Sequence, residues 1–352
     1  MKLTNIRKQL VEKELDGILI SSPYNRRYVT NFTGTAGVAL ITANDALFIT
    51  DFRYTNQAAE QATDYTIIEH KQLLIDEIAE QVKKLDINNL GFEADHTTFA
   101  TYELYKKELA AKLTPISGMI ESLREVKTAE ELAILQDAAK IADDAFEHIL
   151  PFIKPGVKEI DIANELEFFM RRQGATSSSF DTIVASGWRS ALPHGVASTK
   201  EIQTGELVTM DYGALFKGYC SDITRTVAVG DISEELKDIY EMVLAAQEEG
   251  VAHIKPGMTG KEADDLTRNY IDDKGYGEYF GHSTGHGIGL EIHEGPSLSY
   301  RSKTVLQPNM VVTVEPGIYI PDIGGCRIED DLVITETGNR RLTKARKELI
   351  HV

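Results

Sequence analysis

The chain has 352 residues, of which 42% are hydrophobic and 26% are charged, and its formal net charge is −18. This length predicts two domains, because a single hydrophobic core usually stops growing at about 250–300 residues. The strongly negative charge argues against a nucleic-acid-binding protein, which needs clustered lysine and arginine to neutralise phosphates.

The cysteines and the hydrophobic pattern indicate the compartment. Cys220 and Cys326 lie far apart and form no Cys-x-x-Cys pair, so we expect two buried thiols and no thiolate metal or redox site. No stretch reaches the roughly 20 apolar residues that cross a bilayer. The segment MKLTNIRKQLVEKELDG is charged throughout and lacks the apolar core of a signal peptide. We therefore expect a cytoplasmic protein that binds no membrane.

Helical and strand patterns alternate over residues 1–124. Residues 3–16 have the apolar spacing of an amphipathic helix. The strings AGVALIT (36–42) and ALFIT (46–50) flank an Asn-Asp turn and predict a β-hairpin. This part of the chain is predicted to be an α/β domain, and nothing in it clusters like a catalytic site.

A charged segment at 122–132 separates this region from the rest of the chain. Thr128 and Glu131 have the spacing of a capping box, which predicts the start of a long helix that ends near Leu150. We therefore place a second domain at residues 125–352.

The second domain contains an internal repeat. IKPG occurs at 153–156 and at 254–257, and VTMDYG at 208–213 matches VTVEPG at 312–317. Helix-like segments that end in glycine follow the two IKPG strings, at 158–174 and at 261–277. Two ordered matches at an offset of 101 to 104 residues predict two half-domains of the same α+β plan.

The repeat aligns two acids. Asp211 and Glu315 each end a β-like run, and each is followed by a second acid on a second strand, Asp222 or Glu329. If Phe216-Lys217 forms a two-residue turn, Asp211 lies directly opposite Asp222 with Cβ atoms about 5 Å apart. Like charges so placed are unfavourable unless a cation lies between them.

Two hairpins related by duplication would bring all four acids together. Two divalent cations would balance four negative charges, and an oxygen-rich site suits manganese, cobalt, iron or zinc. The alternative is that these acids are exposed in turns, as most aspartates and glutamates are. Their place at the ends of apolar strands, at equivalent points of the repeat, favours the metal site.

Four histidines lie in distinctive local sequences. His194 lies in ALPHG, and His282, His286 and His293 lie in the glycine-rich GHSTGHGIGLEIHEG. The glycines argue against a helical zinc pair but permit close approach of the backbone. One of these side chains could be a terminal metal ligand and the others hydrogen-bond donors or proton shuttles. Histidines with purely structural roles are the alternative.

Arg327 lies two residues before Glu329. On a strand the two side chains share a face, so the guanidinium would lie beside the acids. It could bind a substrate carboxylate or carbonyl. It could equally serve as a partner of the acid cluster.

The ordered motifs SALPHG, MDYG, CSDITRT, GHGIGLEIHEGP, VEPGIY and RIEDD resemble the pita-bread metallopeptidases, and within them the proline-directed branch of aminopeptidase P and prolidase. YVTNFTG and TDFRYTNQA resemble the creatinase-type N-terminal domain of that branch. The resemblance covers nearly the whole chain. It implies an α+β pita-bread catalytic domain at 125–352 after a smaller α/β creatinase-type domain at 1–124.

The resemblance also implies roles for single residues. The metal ligands would be Asp211, Asp222, His286, Glu315 and Glu329. Asp222 and Glu329 would bridge two ions, and Glu315 would also shuttle a proton. The residues implied to bind the substrate and stabilise the transition state are His194, His282, His293 and Arg327. Cys326 stands where the family leads us to expect valine or glycine.

The implied reaction is hydrolysis of the bond between a first residue and a following proline, in dipeptides or at the N-terminus of longer peptides. Two divalent ions would activate water, with manganese expected and cobalt, zinc or iron as alternatives. The partners would be a small peptide and a second copy of the chain. A metal-independent creatinase-like amidinohydrolase and a non-enzymatic binding protein both predict lost ligands, whereas all five are present. A methionine aminopeptidase should lack the N-terminal domain.

Overall fold

The computed structural model describes residues 2–352, and it separates into two compact units, one ending at Arg124 and one beginning at Glu125. Both contain helices and strands, in agreement with the predicted α/β and α+β plans. Among the described residues, no helix is both long and apolar enough to cross a membrane.

The first unit is built on one six-stranded sheet. Its strands are β1 (Gly17–Ile20), β2 (Val38–Thr42), β3 (Ala46–Thr50), β4 (Thr66–Glu69), β5 (Asn89–Glu93) and β6 (Lys112–Ile116), in the order β4-β3-β2-β1-β5-β6. Its helices are α1 (Lys2–Glu12), α2 (Pro23–Thr30), α3 (Thr55–Gln61), α4 (Leu74–Lys84), α5 (Phe99–Glu108) and α6 (Met119–Glu125). The predicted hairpin is confirmed, because β2 and β3 pair antiparallel.

The second unit begins with the predicted long helix. Thr128 and Glu131 form the capping box that the sequence indicated. The helices are α7 (Ala129–Ile149), α8 (Glu159–Arg172), α9 (Glu234–His253) and α10 (Gly260–Asp273), with short 3-10 helices at Leu150–Phe152, Gly187–Ala191 and Gly277–Tyr279. Both cysteines are buried and unpaired, as expected.

Residues 2–352 form five sheets, one of which is a two-stranded hairpin, and four of the five belong to the second unit. Its strands are β7 (Ser177–Ser178), β8 (Ile183–Ser186), β9 (Leu207–Tyr212), β10 (Ala214–Phe216), β11 (Tyr219–Cys220), β12 (Ile223–Ala228), β13 (Gly285–Gly287), β14 (Glu294–Leu298), β15 (Val311–Val314), β16 (Gly317–Ile320), β17 (Gly324–Arg327), β18 (Asp330–Ile334) and β19 (Asn339–Arg341). Among residues 125–352 the sheet orders are β11-β10-β7, β12-β9-β8, β14-β13-β15-β18-β19 and β16-β17.

The repeat in the sequence corresponds to a repeat of structure. Helix α7 packs against α8 in the first half, and α9 packs against α10 in the second. Strand β9 pairs antiparallel with β12, and its counterpart β15 pairs antiparallel with β18. Each half therefore supplies one helix pair and one long hairpin, and the hairpins carry the four acids.

The register predicted for the first hairpin was wrong by two residues. Asp211 lies opposite Thr224 and not opposite Asp222. The turn residues are Lys217 and Gly218, at φ 47° and φ 82°, because a tight hairpin turn needs left-handed backbone at both central positions and glycine adopts it freely. A shift of two residues keeps Asp222 on its predicted face of the ribbon.

The second hairpin brings its two acids directly opposite each other. Val314 pairs with Asp330, and Gly317 pairs with Arg327. Both pairs belong to one register, so Glu315 and Glu329, which lie between them, face each other. The loop after Ile320 is longer than the first turn, as expected from the sequence.

Replacing Gly218 by alanine should lower the free energy of unfolding of the second unit by about 1–2 kcal/mol, because a Cβ at this φ is strained. The fluorescence of Trp188, the single tryptophan of the chain, reports the urea midpoint of this unit. Lys217→Gly is the matched control and should leave the midpoint unchanged or raise it slightly. Equal midpoints for Gly218→Ala and the unmodified protein would contradict the left-handed turn.

Candidate active site

The structure brings all nine predicted site residues to one cavity of about 460 Å³ in the second unit. They are His194, Asp211, Asp222, His282, His286, His293, Glu315, Arg327 and Glu329. The rest of the lining is mainly apolar, from Phe180, Ile183, Pro193, Val196 and Ile292, with Asp181 and Ser283 as polar members.

The acids of the two halves meet because the two hairpins lie side by side. The backbone N–H of Glu329 donates to the Thr224 carbonyl at 3.1 Å. The Thr224 hydroxyl donates to Glu329 Oε2 at 2.6 Å. Thr224 follows Asp222 by two residues, so this contact places the second acid of one half beside the second acid of the other.

Burial and mutual repulsion make the ionised forms of the grouped carboxyl groups unfavourable. Burial, followed by the charges of Glu329 and Asp211, raises the pKa of Asp222 well above its ordinary value. Burial and the charge of Glu315 do the same to the pKa of Glu329. Burial raises the pKa of Glu315 to about 8. These shifts follow from removing carboxylates from water and placing like charges together.

A cation fits this arrangement. Asp211 Oδ1, Asp222 Oδ1 and Glu329 Oε1 are buried and have no hydrogen-bond partner within residues 2–352. Ligand atoms of Asp222, His286 and Glu329 all lie within 4.8 Å of one another. A buried carboxylate oxygen without a partner is costly, and a divalent ion coordinated by oxygen and imidazole removes that cost.

His286 faces the acids in the form that a metal ligand requires. Its Nε2 lies 3.3 Å from Glu315 Oε1 and 3.7 Å from Asp222 Oδ2. Its Nδ1 lies 3.0 Å from the Gly287 carbonyl, which only a protonated Nδ1 can bind. Burial lowers the pKa of His286 to about 4, so the ring is neutral and its Nε2 lone pair is free for an ion.

Glycine makes this placement of His286 possible. A Cβ on Gly285 would collide with the carbonyl of Thr313, and a Cβ on Gly287 would collide with the carbonyl of Gly295. The close backbone approach that the alternating glycines suggested is therefore present on both sides of His286.

Arg327 forms the contact with the acid cluster that the second of its two expected roles requires, and its role in binding substrate stays a prediction. Its Nη2 donates to Asp211 Oδ2 at 2.5 Å, and its Nε donates to the Thr224 hydroxyl at 3.1 Å. The guanidinium is thus a partner of the acid cluster. It joins an acid of the first half to the strand that precedes Glu329 in the second.

Sequence reasoning missed Tyr319. Its hydroxyl oxygen accepts from Arg327 Nη1 at 2.7 Å and lies 2.8 Å from His282 Nε2. His282 Nδ1 faces the Ser283 carbonyl at 2.8 Å and must carry the proton, so Tyr319 donates to Nε2. Tyr319 lies four residues after Glu315 on the same hairpin, and the strand alternation that linked Arg327 to Glu329 could have found it.

The two exposed histidines reach the cavity from loops. The His293 ring packs edge to face against His286, with centroids 4.3 Å apart. His194 lies on the loop after the 3-10 helix, between Ser186 and Ser198, whose hydroxyls both donate to the buried Glu159. Glu159 therefore holds both ends of the loop that carries His194.

With this geometry described, comparison with known proteins gives the family. Residues 133–336 match the description of metallopeptidase family M24, and residues 2–126 match the creatinase/prolidase N-terminal domain. The chain belongs to metallopeptidase family M24. It is a metal-dependent peptidase with the pita-bread fold, which the sequence resemblance had predicted.

Three similar proteins illustrate this membership. A structure described as an Xaa-Pro dipeptidase from Bacillus anthracis is 62% identical, with a TM-score of 0.99 over 100% of this chain and 99% of that one. The Xaa-Pro dipeptidase of Pyrococcus horikoshii is 42% identical over 99% of this chain and 98% of its own. An X-Pro aminopeptidase structure from Thermotoga maritima is 40% identical, with a TM-score of 0.91 over 96% and 98%.

After treatment with a chelator, the stability of this M24 unit should fall as the pH rises from about 7 to about 8. The raised pKa of Glu315 means that the folded chain binds more protons than the unfolded chain in this range, so stability is lost with rising pH. His282 and His286, with folded pKa values lowered to about 4, add an opposing slope near pH 6.5, because the unfolded imidazoles still bind protons there. This opposing slope fades above about pH 7, so the effect of the carboxyls is measured between about pH 7 and 8.

Urea midpoints at several pH values measure this effect. Each such carboxyl contributes up to about 1.4 kcal/mol per pH unit. Glu315→Gln should flatten the slope. A midpoint that is constant or rises between about pH 7 and 8 in the chelated protein would contradict the burial of uncompensated carboxyls.

Proposed function

We propose that this protein hydrolyses the bond between a first residue and a following proline, with two divalent ions held by Asp211, Asp222, His286, Glu315 and Glu329. The observation that carries the proposal is the convergence of three buried carboxylates, the partly buried carboxylate of Glu315 and one neutral imidazole on a single cavity. The Xaa-Pro substrates in the names of the relatives support the choice of bond.

The proposed ligands divide according to their place in the repeat. Asp222 and Glu329 lie on neighbouring segments of the two hairpins, which suits the bridging role that the resemblance implied for them. Asp211 would complete the ligand set of one ion, and His286 and Glu315 would complete the ligand set of the other. Divalent ions bound here would lower the pKa of water to near neutrality and polarise the scissile carbonyl.

Glu315 is the proposed proton carrier. Its Oε1 accepts from the Thr313 hydroxyl at 3.1 Å, which leaves Oε2 as the oxygen that takes and returns a proton. Thr313 thereby holds the carboxyl group through Oε1.

The histidines are proposed to have different tasks. His293 is exposed at the cavity and can donate to the developing oxyanion of the substrate. His282 already uses Nε2 for Tyr319 and Nδ1 for Ser283. We therefore assign His282 to orienting Tyr319 and Arg327, and His194 to the proline side of the substrate.

The apolar part of the cavity suits a proline ring. Ile183, Pro193, Val196 and Ile292 line it beside His194 and His293, so the ring would lose contact with water and gain packing. A dipeptidase and an aminopeptidase differ in whether residues after proline are accepted. Manganese as the metal, a homodimer and a cytoplasmic location stay predictions.

A substrate panel tests the proposal. With added Mn²⁺ or Co²⁺, Xaa-Pro peptides should be cleaved and Xaa-Ala peptides of the same length should not, because alanine leaves the apolar wall unfilled. Comparing Xaa-Pro with Xaa-Pro-Yaa in the same assay separates the dipeptidase from the aminopeptidase. Equal kcat/KM for Xaa-Ala and Xaa-Pro would contradict proline specificity.

Asp222→Ala and Glu329→Ala should each abolish turnover and reduce the bound metal, because each removes a proposed bridging carboxylate. Metal content after gel filtration and kcat on an Xaa-Pro dipeptide are the two measurements. Full turnover by either variant, or by the chelated protein, would contradict the metal mechanism.

His293→Ala should lower kcat by about 10²–10³, the usual loss when one oxyanion donor is removed, and should retain the metal. His253→Ala is the matched control, since His253 is an exposed histidine at the end of α9. Unchanged kcat in His293→Ala would exclude it from the site.

A further inference from the structure

Asp331 is a further buried carboxylate behind the proposed metal centre. It lies on β18, where it pairs with Thr313 across from β15, and only 1% of its surface is exposed. Glu329 and Glu315 lie two residues away, just beyond the ends of these two strands, and the same alternation places them on the face of Asp331 and Thr313. The 460 Å³ cavity is lined by the glutamates but not by Asp331, which therefore lies behind them.

Asp331 holds the backbone of a proposed ligand. The N–H of Asp222 donates to Asp331 Oδ2 at 3.0 Å. The other oxygen, Oδ1, is buried and has no hydrogen-bond partner within residues 2–352. It shares this feature with Asp211, Asp222 and Glu329, whose side chains line the cavity.

The neighbouring Asp330 is a buried acid whose negative charge is compensated by cationic side chains. Arg225, Arg341 and Lys347 all pair with it on the opposite face of β18. Among the ion pairs between described residues, none involves Asp331. Its nearest polar partners are the N–H of Asp222 and, through its own backbone, the hydroxyl of Thr343.

A buried carboxyl group without a cation is neutral unless a positive charge binds nearby. Arg327 balances Asp211. The remaining acids on this face, Asp222, Glu315, Glu329 and Asp331, carry four negative charges when ionised. Two divalent ions supply four positive charges. Because Arg327 already neutralises Asp211, Asp331 supplies the fourth negative charge that matches the two ions.

We propose that Asp331 is a positioning residue of the metal centre: it holds Asp222 through its backbone N–H and supplies negative charge behind the ions. This inference rests on the proposed function. Groups that orient the ligands of a metal typically change its affinity 10–100-fold when they are replaced. Strand alternation in RIEDD places Asp331 on the face of Glu329, but the sequence could not show that Asp331 binds the backbone of Asp222.

Asp331→Asn tests the proposal, because it keeps an oxygen for the Asp222 N–H and removes only the charge. Titration of the chelated protein with Co²⁺ against a competing chromophoric chelator measures affinity and stoichiometry, and the visible Co²⁺ absorption reports the ligand geometry. We expect affinity about 10–100-fold weaker than in the unmodified protein. We also expect a higher melting temperature without metal and a smaller rise on adding Co²⁺.

Glu93→Gln is the matched control. Glu93 is a buried carboxylate in the first unit that also accepts backbone N–H groups, from Ser21 and Ser22. This variant should bind Co²⁺ as the unmodified protein does. Asp331→Ser is a second variant, with a smaller neutral side chain, and it should weaken Co²⁺ binding at least as much as Asp331→Asn.

The outcomes separate the two proposals. If the unmodified protein does not bind two Co²⁺ ions, the dinuclear site itself fails. If it does, and Asp331→Asn matches it in affinity, spectrum and melting temperature, the role of Asp331 is overturned. Failure of both Asp331 variants to fold would also overturn it, because the carboxylate would then support the fold itself.

Discussion

The contact between the two long hairpins of the second unit is the interaction on which the site depends. It forms along β12 and residues 327–331, where the Thr224 carbonyl accepts from the Glu329 N–H and the Thr226 hydroxyl donates to the Arg327 carbonyl. The four carboxylates from the two halves of the chain repel one another when they are ionised. This repulsion would separate the two hairpins if nothing else held them together. Backbone and hydroxyl hydrogen bonds that do not titrate hold them together instead.

A network of hydrogen bonds around Arg225 also holds the two hairpins together. Arg225 is fully buried and donates to the carbonyls of Thr224, Glu329 and Ala345 and to the carboxylate of Asp330. A buried arginine is tolerated because each of its donors has an acceptor. The C-terminal segment thereby becomes part of the support of the site, since it supplies the Ala345 carbonyl and the ammonium of Lys347 to this network.

A second connection between the halves passes through side chains in the cavity. Asp211, Arg327, Tyr319 and His282 form one chain of hydrogen bonds with a defined direction of donation. It joins an acid of the first hairpin to the glycine-rich segment after α10. Arg327 and His282 are therefore already engaged by protein groups, and His194 and His293 are the exposed imidazoles that a peptide would meet first.

The sequence determined the residues of the site and the general plan of the fold. Strand patterns, the capping box at Thr128 and the repeat predicted the hairpins, the long helix and two similar halves, because these signals are local or depend on order along the chain. The resemblance then named nine of the residues that line the cavity, since motifs record the chemistry of single positions.

The tertiary structure alone decided how those residues meet. The register of the first hairpin depended on which two residues adopt left-handed backbone, and the sequence suggested Phe216-Lys217 where the chain uses Lys217-Gly218. The pairing of Arg327 with Asp211 and the hydrogen bond from the Asp222 N–H to Asp331 join residues distant in sequence. Such contacts arise when strands pack, and no local pattern records them.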